Sequence, residues 1–116
     1  MSSRNSNRSA RALFLWAIGL AAMLAFGTAA APAHAKTITV TIQKLVFSPA
    51  NIQAKAGDTI EWVNKDAFAH TATVKGGWDV MIPPEKSASL VLKKAGPVDY
   101  FCRFHPNMKG HVTVSP

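Results

Sequence analysis

From Thr37 to Ile42 threonine alternates strictly with Ile38, Val40 and Ile42, so one face of the segment is apolar and the other hydroxylic. A period of two marks a half-buried β-strand. The pattern recurs along the chain. Leu45 to Phe47 is a short apolar segment ended by Ser48-Pro49, and Ile52 to Ala54 is another, closed by the Gly57-Asp58 turn. Thr59 to Asn64 reads as a strand with Ile60 and Trp62 on one face, and after a polar stretch Ala72 to Val74 is extended until Gly76-Gly77 breaks it. Ser87 to Leu92, Val98 to Cys102 and His111 to Val114 complete the series, with Ala95-Gly96-Pro97 as a turn. Nowhere does an apolar pattern of helical period persist long enough to make a helix. Seven or eight short strands divided by Gly, Pro and Asp predict an all-β fold, an antiparallel sandwich or barrel.

The residues before this series are of another kind. Met1 to Arg11 is polar and cationic, Ala12 to Ala31 is almost unbroken apolar sequence, and Ala33-His34-Ala35 offers the small-x-small pattern that signal peptidase accepts. Residues 1–35 are therefore expected to be a cleaved signal peptide and residues 36–116 the exported, periplasmic domain. An uncleaved anchor is the alternative, since about 20 apolar residues just span a bilayer. In either case the domain faces the oxidising side of a membrane. With 116 residues in all, the chain has room for one domain and excludes a large enzyme. Its net charge of +7 falls to +4 once Arg4, Arg8 and Arg11 are removed with the leader. A charge of that size can steer an acidic protein partner, but it is too small and too scattered to indicate nucleic acid.

Cysteine occurs once, at Cys102, so no intramolecular disulfide, four-cysteine zinc site or CxxC redox pair is available. A domain of this size often needs a disulfide or a metal for stability, and here the metal is the remaining route. The chemistry concentrates in Tyr100-Phe101-Cys102-Arg103-Phe104-His105-Pro106-Asn107-Met108, where a thiol, an imidazole and a thioether follow one another at three-residue spacing between two strands. His70 lies in the polar stretch after the Trp62 strand, which a sandwich brings to the same end as the Cys102 loop. Two His and one Cys with a weak axial Met suit a blue-copper electron-transfer site.

Each residue also has a duller reading. A lone Cys serves as a small buried hydrophobe, a lone Met as core filler and a lone His as a surface residue. Against this, an exported protein seldom keeps an unprotected thiol. Zinc could use Cys102, His70 and His105, although Met is a poor zinc ligand and such sites add another Cys, His or carboxylate. A Cys-His hydrolase would make Cys102 the nucleophile and His70 or His105 its base, but no orienting acid or substrate pocket is recognisable. Met81 is read as a loop residue in the core or at a surface apolar contact. His111 is read as structural or exposed, with Gly110 turning the chain away from the loop.

GDTIEWVNKDAFAH, from Gly57 to His70, and VDYFCRFHPNMKGHVTV, from Val98 to Val114, resemble the cupredoxins, and the short Cys-x-x-His-x-x-Met loop with Pro after the His is most similar to that of the amicyanins among them. Phe47-Ser48-Pro49 resembles the family's early Phe-x-Pro segment and Trp78-Asp79 its middle loop, so the likeness covers nearly the whole exported domain. The resemblance implies a Greek-key β-sandwich holding one type 1 copper through His70, Cys102, His105 and Met108. It implies a one-electron carrier rather than an enzyme, a monomer that shuttles electrons between a donor and an acceptor redox protein docking near His105. The runner-up is a periplasmic copper-delivery protein that holds Cu(I) with Met108, Met81 and the histidines. One departure stands out. The family usually has Asn after its first His ligand, tying the two ligand loops together, whereas this chain has Thr71, whose single hydroxyl is expected to tie them less firmly.

Overall fold

The computed structural model describes residues 34–116. The export segment expected over residues 1–35 lies outside them, apart from His34 and Ala35, which are exposed. Nine strands follow in order: β1 (Thr37–Gln43), β2 (Val46–Ser48), β3 (Asn51–Lys55), β4 (Thr59–Asn64), β5 (His70–Thr73), β6 (Asp79–Ile82), β7 (Ser87–Val91), β8 (Gly96–Phe101) and β9 (Lys109–Ser115). They form a four-stranded sheet ordered β2-β1-β4-β7 and a five-stranded sheet ordered β3-β9-β8-β5-β6. This is the Greek-key sandwich that the resemblance implies.

Two features differ from the strand reading of the sequence. The chain switches sheets between β2 and β3 and again between β3 and β4, so β1 runs parallel to β4 and β3 parallel to β9. Pairing between strands separated by such a crossover has no local signature in sequence. The second difference is β6, where the sequence pattern predicts a loop. Asp79-Val80-Met81-Ile82 is an edge strand held by pairing to β5, and only Ile82 among its residues is fully buried. Its outward Met81, 48% exposed, is therefore a strand residue and not part of the core.

The core follows the alternation. Val40, Ile42, Ile60 and Trp62 of one sheet face Ile52, Ala72, Ile82, Tyr100 and Val112 of the other, all of them buried. Burying a large apolar side chain contributes on the order of 2 kcal/mol. At the centre, the Tyr100 ring packs edge-on against Phe47 at 4.8 Å and Trp62 at 5.7 Å, and its hydroxyl accepts a hydrogen bond from Trp62 Nε1 at 3.3 Å. Burial pushes the Tyr100 phenol pKa up. Gly110, which pairs directly with Tyr100 across β8 and β9, is a strand residue and not a turn. Its missing side chain makes the room that the Tyr100 ring occupies, because a Cβ there would collide with the ring. At the opening of the fold, Asp58 is 2% exposed and accepts from the backbone N of Lys36 and of Lys55, both at 2.9 Å, which fastens the start of β1 to the β3–β4 turn.

Candidate metal centre

Cys102 follows the last residue of β8, and the loop that it opens closes again at Met108, just before β9. The closure is made by backbone: Cys102 N donates to Met108 O at 3.1 Å and Met108 N donates to His105 O at 2.8 Å. Phe101 and Lys109 pair across the mouth. A seven-residue loop pinned in this way at Cys102, His105 and Met108 has little freedom left at those three positions. Cys102 and Met108 are buried, and His105 is half-buried.

His70 comes from the other side of the site. The sequence pattern places it in the polar stretch after the Trp62 strand, whereas it is the first residue of β5, paired with Ile82 of β6 and fully buried. The misplacement arose because the β-strand pattern is obscured here, with all four residues of β5 buried on both faces. His70 Nδ1 lies 3.7 Å from Cys102 Sγ and His105 Nδ1 lies 3.9 Å from it, while the two imidazole rings are 5.1 Å apart. The three donor atoms all fall within 4.8 Å of one another.

The surroundings hold this set in place. Asp66 Oδ2 accepts from His70 Nε2 at 2.9 Å, and the same carboxylate accepts from the backbone N of Lys44 at 2.7 Å and of Leu45 at 3.0 Å. Burial pushes the Asp66 pKa up, but the Leu45, Lys44 and His70 hydrogen bonds outweigh that and hold it below the ordinary carboxylate range. Asn64 knots the loop between β4 and β5. Its Nδ2 donates to Phe68 O at 2.7 Å and Pro83 O at 3.1 Å, and its Oδ1 accepts from Asp66 N at 2.9 Å. Neither Asn64 nor Asp66 was singled out from the sequence. A carboxylate four residues before a ligand histidine was the available signal, since a metal-binding imidazole usually gives its second N–H to such a group.

Thr71 ties the two ligand segments together. Its backbone N donates to Cys102 Sγ at 3.4 Å, and its Oγ1 accepts from Arg103 N at 2.9 Å. The single hydroxyl spans the gap between the two segments because Arg103 N comes to it. Met81 and His111 stay apart from the donor set. Met81 pairs with Thr71 and so projects from the face of the sheet opposite to His70. His111 Nδ1 lies 2.7 Å from Asp99 Oδ1 on the neighbouring strand, which fits the structural role expected for it.

Two imidazole nitrogens and one buried thiol, with a buried thioether residue closing the same loop, form a soft donor set of the kind that suits copper. The residues present fit that metal. Residues 16–114 match the cupredoxin-like domain family. The chain is 32% identical over 93 residues to amicyanin from Paracoccus versutus, across 74% of this chain and 70% of that one. It is 34% identical over 85 residues to plastocyanin from Scenedesmus fuscus, across 60% of this chain and 87% of that one. The crystal structure of Paracoccus versutus amicyanin superposes with a TM-score of 0.61 at 33% identity, covering 73% of this chain and 85% of that one.

Proposed function

The chain belongs to the cupredoxin-like family, with amicyanins among its relatives, and from that premise we propose that it is a periplasmic one-electron carrier holding one type 1 copper through His70, Cys102, His105 and Met108. Its relatives amicyanin and plastocyanin are electron carriers rather than enzymes. The observation that carries the reading is the approach of His70 Nδ1 and His105 Nδ1 to Cys102 Sγ, at 3.7 Å and 3.9 Å. Bound copper supplies a one-electron Cu(II)/Cu(I) couple.

The protein's part is to keep the ligands still while the charge changes. Asp66 accepts the Nε2 hydrogen of His70 and so leaves Nδ1 as the coordinating nitrogen. The Thr71 N–H stabilises negative charge on the Cys102 sulfur. The loop's own backbone bonds hold Cys102 and Met108 in register, and burial of His70, Cys102 and Met108 keeps water from the donor set. Small rearrangement of a rigid set is what fast electron exchange requires.

His105 is the half-buried member of the set, and it is proposed as the port for electrons. Phe104 beside it is 47% exposed and Phe68, two residues before His70, is 63% exposed, which supports docking of donor and acceptor redox proteins on this apolar end. Export by a signal peptide over residues 1–35 and cleavage before Lys36 belong to the same proposal, supported by the cationic, apolar and small-residue layout, and the carrier is proposed to act as a monomer. The copper-delivery reading draws on Met81, whose place on the opposite face of the sheet from His70 speaks against it.

Reconstitution of the purified domain with one equivalent of Cu(II) tests the proposal. The expected result is an intense visible thiolate-to-copper absorption that saturates at one metal per chain. A colourless Cu(II) complex would overturn it.

A further inference from the structure

Alternation along β5 places Thr71 and Thr73 on the outer face of the five-stranded sheet, opposite Met81 and Asp79 of β6, yet both threonines are buried. Buried hydroxyls need partners, and here the hydrogens can be counted. Thr73 Oγ1 donates to Asp79 Oδ1 at 2.6 Å, and Arg103 Nε donates to the same oxygen at 3.1 Å. The hydrogen bonds from Thr73 and then Arg103 hold the Asp79 pKa below the ordinary carboxylate range, so it accepts and does not donate. A threonine has one hydroxyl hydrogen. With that of Thr73 given to Asp79, the 2.9 Å contact between the two hydroxyls must be Thr71 donating to Thr73. Thr71 Oγ1 is then oriented to accept, and its donor is Arg103 N at 2.9 Å, in the peptide that follows Cys102.

We propose that Asp79 is a positioning residue for the ligand loop: acting through Thr73, it turns the Thr71 hydroxyl so that the oxygen receives the Arg103 amide and fixes Cys102 in place. The proposal rests on the copper-carrier reading for its functional meaning, but not for its geometry. Arg103 adds a second attachment, since its guanidinium reaches the same carboxylate that starts the relay. The ring of bonds therefore joins β5, β6 and the first turn of the ligand loop through groups 32 residues apart in sequence.

Amide hydrogen exchange at residue 103, followed by NMR on the whole exported domain both metal-free and Cu(I)-loaded, tests the relay. Thr73→Val and Asp79→Ala should each speed exchange at that amide about fivefold, the loss of one ordinary hydrogen bond, and should shift the Cu(II) thiolate charge-transfer band. Thr73→Ser keeps the hydroxyl and should restore wild-type exchange and spectrum. Arg103→Ala keeps the backbone N–H while removing the guanidinium, and should change the exchange less than twofold. If Thr73→Val leaves exchange and spectrum at wild-type values, or if Arg103→Ala alone reproduces the Asp79→Ala effect in full, the relay is wrong. A wild-type protein that binds Cu(II) without intense colour would defeat the copper reading, while the exchange rates of the metal-free domain would still decide the role of Asp79.

Discussion

The Asp66 carboxylate accepts from His70 Nε2 at 2.9 Å, and because a carboxylate has no hydrogen to give, Nε2 must carry one and Nδ1 is the nitrogen turned to Cys102. The same carboxylate receives the backbone N of Lys44 and Leu45, two non-glycine residues at φ 54° and 64°. One side chain thus selects the tautomer of a ligand and secures a turn of left-handed backbone next to it.

Asp66→Asn can offer an amide hydrogen to Nε2 and so loses the selection of tautomer. It is expected to weaken Cu(II) retention by roughly tenfold to a hundredfold, the usual effect of disturbing the partner of a ligand histidine. Competition with a chelator of known affinity measures this, and retention equal to wild type would show that Asp66 serves only the turn.

Cys102→Ser should abolish the visible absorption of the Cu(II) protein, since the thiolate is its source. Met108→Gln should keep the colour and lower the reduction potential, because an oxygen ligand favours Cu(II) more than a thioether does. Visible absorption spectra of both variants and voltammetry of Met108→Gln, each beside wild type, check these statements. An unchanged potential in Met108→Gln would remove Met108 from the ligand set.

Gly110→Ala puts a methyl group into the space held by the Tyr100 ring. Tyr100 is wedged between Phe47, Trp62 and Trp78, so it has nowhere to retreat. Overpacking of this kind costs about 1–3 kcal/mol, and thermal unfolding of the metal-free domain should show a correspondingly lower Tm. An unaltered Tm would mean that the aromatic cluster yields more readily than its packing suggests.

Much of the fold can be read from alternation, but the site only in part. β1, and β4 as far as Trp62, are legible because threonine or a polar residue alternates with Ile, Val or Trp and burial follows that pattern; at the end of β4 it is the polar Asn64 that is buried. β6 is not, because a four-residue edge strand with a single buried side chain exists through its pairing with β5 and not through its own sequence. Cys102, His105 and Met108 stand out by spacing within one loop. Asp66, Asn64 and Asp79 do not, since Asp and Asn in polar stretches are the common residues of turns. Their roles come from backbone amides and hydroxyls brought to them by distant segments, which no local pattern records.

Acid should weaken the fold through Asp58. Hydrogen bonds from the backbone amides of Lys36 and Lys55 hold its pKa below the ordinary carboxylate range. A depressed carboxylate contributes stability that is complete above its unfolded value and is lost as pH falls through the folded one. The stability gap between wild type and Asp58→Asn should therefore be widest near neutrality and narrow below about pH 3.8. Urea titrations at several pH values measure it, and a gap independent of pH would assign the difference to shape alone.

The Lys36–Asp58 contact also bears on when the domain becomes firm. The atom that meets the buried carboxylate is the backbone nitrogen of Lys36, the residue directly after Ala35. A peptidase cut at that bond would replace a neutral amide with an α-ammonium at the same place, and a part-buried hydrogen bond would become an ion pair. In the proposed maturation, cleavage would thus act as a latch, with the first strand held more tightly in the processed chain than in its precursor.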